Sequence, residues 1–152
     1  MLVSLRNYSN YSICESNIKI DDLVNFASKN NLSAIGLTDY KLLSGSLEFS
    51  IKCQKASIQP IIGLDVDYIS TLDHSKRVTF ISKSKEGFKN LNILSTQVNT
   101  NNNFLLNENN IKDYAIGNIL ILGGLYSYFE DISINQKNLN KTLNEIKNLK
   151  EI

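Results

Sequence analysis

The fold is decided by the stretch Ile35-Gly-Leu-Thr-Asp-Tyr-Lys-Leu-Leu-Ser-Gly-Ser-Leu-Glu-Phe49. Its short apolar run, from Ala34 to Leu37, is typical of a buried parallel strand. The polar triplet Thr38-Asp-Tyr40 follows directly, and Ser44-Gly-Ser46 then supplies start signals for a helix. Because parallel α/β proteins place their binding and catalytic groups at the carboxyl ends of strands, we expect the triplet to lie at a functional cleft.

The rest of the chain repeats this alternation of strands and helices. Further strands are predicted at Leu2–Arg6, Gln59–Tyr68, Arg77–Ser82 and Ile119–Gly124, and helices at about 20–29, 46–56, 86–94, 111–114 and 138–151. The alternation favours a parallel α/β fold with about five strands, and the apolar fifth strand is expected to be buried on both faces. A closed barrel needs more strands, so we expect residues 1–152 to form one truncated domain with no second domain.

Composition limits the classes of protein to consider. The chain has 152 residues, of which 42% are hydrophobic and 20% charged, enough for one globular domain. A net charge of +1 gives no overall field that favours nucleic acid or an anionic membrane, and no apolar run is long enough to span a bilayer. Cys14 and Cys53 lack a C-x-x-C spacing, and we interpret them as reduced thiols filling apolar space in a cytoplasmic protein.

Two further features exclude common kinds of site. His74 is the only histidine and lies at 71–76, a segment predicted to be a loop or a hairpin tip. Most zinc sites and most catalysis by a histidine base are therefore excluded. The pair Gly123-Gly124 is a weak signal for phosphate binding, because no P-loop or G-x-G-x-x-G pattern accompanies it.

Six motifs follow one another along the chain: Val3-Ser-Leu-Arg-Asn-Tyr-Ser-Asn-Tyr-Ser12, Ala34-Ile-Gly-Leu-Thr-Asp-Tyr40, Gly45-Ser-Leu-Glu-Phe49, Pro60-Ile-Ile-Gly-Leu-Asp65, Phe80-Ile-Ser-Lys-Ser-Lys-Glu-Gly-Phe-Lys-Asn-Leu91 and Asn118-Ile-Leu-Ile-Leu-Gly-Gly124. Together they resemble the amino-terminal PHP (polymerase and histidinol phosphatase) domain of the bacterial DNA polymerase III alpha subunit. The resemblance implies an α/β fold of the PHP type, a distorted (β/α) barrel of which this chain would be the amino-terminal portion.

In active PHP domains, the strand ends hold two or three metal ions through histidines and carboxylates. The resemblance places six residues of this chain at such ligand positions: Arg6, Tyr8, Glu15, Asp39, Tyr40 and Asp65. Arg6 and Tyr8 stand where the family has the histidines of a His-x-His motif, and Tyr40 stands where it has the histidine of Thr-Asp-His. We therefore expect vestigial metal-site positions and no catalytic residue. A simpler interpretation of Asp39 and Asp65, as turn-forming or helix-capping residues, stays open.

The replaced ligands change the chemistry of these positions. Arg6 brings a permanent positive charge into the space of a cation, and protonated phenols are poor metal ligands. Glu15, Asp39 and Asp65 remain weak candidates for holding one Mg²⁺. Since carboxylates around an empty site repel one another, we expect Arg6 to replace the metal and to pair with Asp39 or Asp65. No cofactor is expected for this chain, and the resemblance implies Mg²⁺ for the parent polymerase alone.

The resemblance implies a non-catalytic domain that supports the polymerase in DNA replication and offers a docking site for the proofreading exonuclease subunit. The partners would be the remainder of the alpha subunit and that exonuclease. DNA would be contacted only through the parent enzyme, a DNA-directed DNA polymerase and nucleotidyltransferase, and no membrane would be involved. Two alternatives stay open: a metal-dependent phosphoesterase with a carboxylate-rich site, and a free-standing protein-binding module.

Overall fold

The structure, a computed structural model, describes residues 3–69, 75–122, 143–144 and 146–147. Its elements are, in chain order, α1 (Ile20–Lys29), β1 (Ala34–Leu37), α2 (Ser46–Lys55), β2 (Gln59–Ile69), β3 (Ser75–Ser82), α3 (Lys85–Thr100), β4 (Leu106–Asn107), α4 (Ile111–Ala115) and β5 (Asn118–Ile121). No helix among the described residues is long and apolar enough to cross a membrane. His74, Gly123-Gly124 and most of the helix predicted at 138–151 lie outside the described residues.

One mixed sheet organises these elements, and the predicted α/β class is confirmed. Four strands lie in the order β1-β2-β3-β5, and β4 pairs with β2. The β1–β2 and β2–β4 pairs are parallel, whereas β2–β3 and β3–β5 are antiparallel. The expectation of a parallel sheet throughout is therefore wrong. Residues 70–74 alone separate β2 from β3, and a parallel connection needs about a dozen residues or more.

Two apolar clusters hold the helices to the sheet. In the first, the predicted apolar face of α1, including Leu23 and Val24, packs with β1 and with Phe49 of α2. In the second, Leu91 and Leu94 of α3 pack with apolar side chains of β2 and β3. Fully burying one such side chain stabilises a fold by about 1.5–3 kcal/mol, so both ends of β2 are anchored by helices.

The predicted first strand is not a strand in the structure. Within residues 3–6, one bridge joins Ser4 to Ile35, and the Gly36 amide donates to the Ser4 carbonyl at 2.7 Å. The side chain of Asn7 then donates to the Gly36 carbonyl at 2.9 Å, so a side chain replaces the next backbone contact. Gly36 permits this close approach, because a Cβ there would lie 2.1 Å from the Leu5 carbonyl oxygen.

The expectation that the fifth strand is buried on both faces is also wrong. Among the described strands, β5 pairs only with β3, at the end of the strand order, and Ile119 is 50% exposed. The two cysteines differ in burial. Cys53 is buried as expected, and burial raises the pKa of its thiol to about 11, whereas Cys14 is exposed in a turn and does not fill apolar space.

Candidate functional site

The carboxyl ends of β1 and β2 lie side by side. The strands pair in parallel along the whole of β1, and an isolated bridge between Tyr40 and Asp65 continues the pairing. The Asp65 amide donates to the Asp39 carbonyl at 3.1 Å, and the Lys41 amide donates to the Asp65 carbonyl at 2.8 Å. The register therefore brings together three of the six predicted positions, as parallel strand ends do in α/β proteins.

The Asp39 carboxylate organises the loop before α1. It is 2% exposed and accepts hydrogen bonds from the Ser9 amide (2.6 Å), the Ser9 hydroxyl (2.7 Å) and the Ser12 hydroxyl (2.6 Å). The Ser12 oxygen in turn accepts from the Tyr40 amide at 2.9 Å. These hydrogen bonds to the Asp39 carboxylate come from Ser9 and Ser12, and none of them comes from Arg6 or from the first turn of α2. Its contacts are those of a loop anchor, and no helix cap is seen.

The Asp65 carboxylate is fully buried and lies among donors. The Tyr8 hydroxyl donates to one oxygen at 2.5 Å, and the Thr79 hydroxyl donates to the other at 2.5 Å. Arg6 approaches both oxygens at 3.4 and 3.5 Å and also donates to the Tyr8 oxygen at 3.1 Å. The expected pairing of Arg6 is therefore present with Asp65. The two hydroxyl groups, however, make the closest contacts to this carboxylate.

The tyrosines at ligand positions act as hydrogen-bond donors. Burial, followed by the hydrogen bond to Asp65, raises the pKa of the Tyr8 phenol. Burial and the contact with Asp67 raise the pKa of the Tyr40 phenol in the same direction. Both phenols therefore keep their protons near neutral pH, and a protonated phenol is a poor metal ligand.

A second group of charges surrounds the Tyr40 ring. Its hydroxyl donates to Asp67 at 2.6 Å, while the Lys41 ammonium lies 4.7 Å and the Arg77 guanidinium 4.1 Å from the ring centroid. Lys41 also pairs with Asp67 at 2.6 Å. Arg77 makes a two-point pair with Glu15 at 2.5 and 3.1 Å, and this hydrogen bonding lowers the pKa of the Glu15 carboxyl. Glu15 is thus neutralised by a guanidinium.

The partners of the predicted residues were not identified from the sequence. Thr79 lies opposite Asp65, and Arg77 lies opposite Asp67, in the antiparallel register of β2 and β3. A prediction of antiparallel pairing would have found both, because directly opposite residues share a face of the sheet. The Ser12 hydroxyl carries no such signal, since it reaches Asp39 from a loop.

The residues present do not fit a metal centre. Among residues 3–69 and 75–122, no three His, Cys, Asp or Glu side chains are grouped so that they could hold an ion. Asp39, Asp65 and Glu15 each accept short hydrogen bonds from protein donors. A cation would have to displace those donors and would meet the charge of Arg6. The donor set supports ion pairs and hydrogen bonds.

Comparison with known proteins places this arrangement in a family. The model of the PHP domain family matches residues 4–152. The chain belongs to the PHP domain family. The resemblance recognised in the sequence is therefore confirmed, whereas the assignment of the six residues to metal-ligand positions stays a prediction.

Several curated relatives are similar over most of this PHP domain. DNA polymerase III subunit alpha of Buchnera aphidicola is 31% identical over 129 residues, covering 80% of this chain and 11% of the relative. The Rickettsia felis protein of the same name is 38% identical over 100 residues, covering 66% of this chain and 8% of the relative. An error-prone DNA polymerase of Symbiobacterium thermophilum is 34% identical over 94 residues, covering 62% of this chain and 8% of the relative. The chain spans between 8% and 11% of the length of these three relatives.

Solved structures support the fold of the domain. An amidohydrolase from Chromobacterium violaceum aligns with a TM-score of 0.50 and 16% identity over 60% of this chain and 32% of its own. A protein assigned as a metal-dependent phosphoesterase from Bifidobacterium adolescentis aligns with a TM-score of 0.53 and 15% identity, over 64% of this chain and 32% of its own. At this identity the likeness concerns the fold alone.

Proposed function

We propose that this chain is a non-catalytic PHP domain of a replicative DNA polymerase III alpha subunit and that it supports the polymerase structurally. One observation carries the proposal. Asp39, Asp65 and Glu15 each accept short hydrogen bonds from the protein's own donors. Arg6, Tyr8 and Tyr40 stand where the resemblance leads us to expect histidine ligands. A metal-activated hydroxide needs open ligands around a cation, so this site favours a structural role.

The relatives support the identity of the larger protein. Those described above are polymerases, and each is far longer than this chain. In the proposed setting, the remainder of the alpha subunit copies DNA in the cytoplasm with Mg²⁺, and this domain packs against it. The same domain offers a docking surface to the proofreading exonuclease subunit.

A phosphomonoester assay tests the absence of catalysis. Tag-free chain is incubated with p-nitrophenyl phosphate and Mn²⁺, beside the variant Asp39→Asn, with folding of both checked by circular dichroism. We expect equal background rates, because no group of carboxylates in the described part of the chain is arranged to hold a metal. Turnover that Asp39→Asn abolishes and that Glu86→Gln, an exposed change on α3, preserves would establish the rival phosphoesterase.

Binding measurements test the supporting role. The chain is titrated by calorimetry with the purified remainder of the alpha subunit and, separately, with the proofreading exonuclease subunit of the same organism. We expect saturable heat in the first titration, because the domain packs against the polymerase. We also expect it in the second, because the domain docks the exonuclease. Absence of binding to both proteins would contradict the proposed role.

A further inference from the structure

A groove lies at the amino end of β2, away from the residues around Asp65. Its walls are the outward face of α3 from Lys85 to Gln97 and the backbone segments 59–62 and 82–85. Three adjoining concavities, of about 400, 530 and 490 Å³, form it by sharing residues such as Phe88 and Pro60. We call this feature the α3–β2 groove.

The lining of the α3–β2 groove carries charge of one sign. Lys83, Lys85 and Lys89 lie along it and are exposed, and no Asp or Glu is among the described residues that line it. The whole chain has a net charge of only +1. The positive field is therefore local to the groove and is not a general property of the surface.

Apolar side chains lie between these lysines. Phe88 is 38% exposed and Ile93 is 43% exposed on the same face of α3, and Pro60 lies at the junction of two concavities. Amide side chains such as Asn92 can bond the backbone of an extended peptide. The lining thus combines an apolar floor, a basic rim and amide groups.

We propose that the α3–β2 groove docks an acidic, extended segment of a partner protein, with an aromatic or aliphatic side chain against Phe88 and carboxylates against the lysines. From Lys85 to Gln97 the helix rises about 18 Å at 1.5 Å per residue, the length of about five or six extended residues. Apolar contact area beside each charge fits a peptide better than a duplex phosphate backbone, which would leave Phe88 and Ile93 without apolar partners. The inference deepens the docking role proposed above and rests on it.

Fluorescence anisotropy with a defined probe tests the groove. The probe is a fluorescein-labelled peptide of alternating Asp or Glu and Leu or Phe, about eight residues long. We expect the double variant Lys85→Glu/Lys89→Glu to weaken binding about tenfold. The matched control is Lys112→Glu, an exposed lysine of α4 outside the groove lining, which should leave binding unchanged. Reversal at Lys85 adds negative charge to the first turn of α3, where it favours the helix, so folding should persist.

Two further arms make the test decisive. The variants Phe88→Ala and Ile93→Ala, each checked for folding, test the apolar floor of the groove. We expect each to lower the affinity for the acidic peptide by about tenfold. A peptide with Lys in place of the acids should bind the charge-reversed variant better than the wild type. Failure of the acidic peptide to bind, equal effects of the groove and control variants, or tighter binding of a single-stranded oligonucleotide would each overturn the inference.

The two proposals fail separately. Metal-dependent turnover would overturn the non-catalytic assignment and leave peptide binding untouched. Equal peptide binding by the groove and control variants would overturn the inference about the α3–β2 groove. Binding of the domain to the remainder of the alpha subunit, measured by calorimetry, would still support the structural role.

Discussion

Replacing Tyr8 by Phe removes one donor to a fully buried charge. The Tyr8 hydroxyl lies 2.5 Å from Asp65 Oδ2, and Asp65 is 0% exposed. A hydrogen bond to a charged group contributes about 1.5–3 kcal/mol net. Thr79 and Arg6 continue to donate to the carboxylate, so we expect Tyr8→Phe to lower the free energy of unfolding by about 2 kcal/mol.

A matched control separates this effect from the loss of any phenol. Tyr11 donates to the partly exposed Glu48 at 3.1 Å, and Tyr11→Phe should cost about 0.5 kcal/mol or less. Urea denaturation followed by circular dichroism measures both variants. In a thermal scan, Tyr8→Phe should lower Tm by about 4–8 °C, since 1 kcal/mol corresponds to about 2–4 °C at this chain length.

Coupling between the donors refines the test. Tyr8 and Thr79 donate to opposite oxygens of the Asp65 carboxylate, so Tyr8→Phe and Thr79→Val should not be additive in a double-mutant cycle. A cost for Tyr8→Phe no larger than that for Tyr11→Phe, together with additive behaviour, would refute the reasoning that Asp65 depends on these hydroxyl groups.

Three further outcomes follow from the same contacts. Because hydrogen bonding to Arg77 lowers the pKa of Glu15 below its ordinary value of 4.5, the unfolded chain binds more protons between those two values. Stability should then fall as pH falls through that window, and Glu15→Gln should flatten the slope in urea denaturation; an unchanged slope would count against the ion pair. Ser12→Ala removes a donor to Asp39 and an acceptor for the Tyr40 amide, so it should cost about 2–3 kcal/mol. Its control, Ser50→Ala, removes only a bond to the Ser46 carbonyl within α2 and should stay within about 0.5 kcal/mol; equal costs would contradict the anchoring role of Asp39. Gly36→Ala places a Cβ 2.1 Å from the Leu5 carbonyl and should cost about 1–3 kcal/mol, with faster hydrogen exchange at the residue 36 amide; unchanged exchange would show that the segment can move aside freely.

Local sequence patterns predicted those parts of the fold that depend on local physics. Within the helix predicted at about 20–29, Ile20, Leu23, Val24 and Ala27 recur with the spacing that places them on one face, and all four are buried. Asn31, just after this helix, has φ 53°, a left-handed conformation that asparagine adopts more readily than most residues. The convergence of Asp39 and Asp65 followed from the rule that parallel strand ends meet.

Strand direction was less accessible to local reasoning. Residues 70–74 contain no Asn-Gly or Asp-Gly pair, the strongest short-range signal of a hairpin. A hairpin tip between β2 and β3 was therefore only one of two alternatives for residues 71–76, and the contacts of Thr79 and Arg77, which depend on the antiparallel register, were not predicted. The position of β5 at the end of the order of described strands depends on strand order, which the apolar run before Gly123 does not encode.

The roles of Ser9 and Ser12 could not be predicted because they depend on tertiary contacts. Both lie in a loop without periodicity, and their hydroxyl groups reach a carboxylate about thirty residues away along the chain. The resemblance predicts that the metal ligands are replaced. It did not indicate that hydroxyl groups, more than the Arg6 guanidinium, would satisfy the buried carboxylates.

Thermal denaturation with and without Mn²⁺ tests most directly the claim that protein donors have replaced the metal at these PHP positions. A site with a Kd of about 10 µM would stabilise the folded chain by about 2.7 kcal/mol at 1 mM metal, which raises Tm by about 5–10 °C. We predict the same small change in Tm for the tag-free wild type and for Asp39→Asn. A rise of about 5–10 °C in the wild type that Asp39→Asn abolishes would contradict the claim.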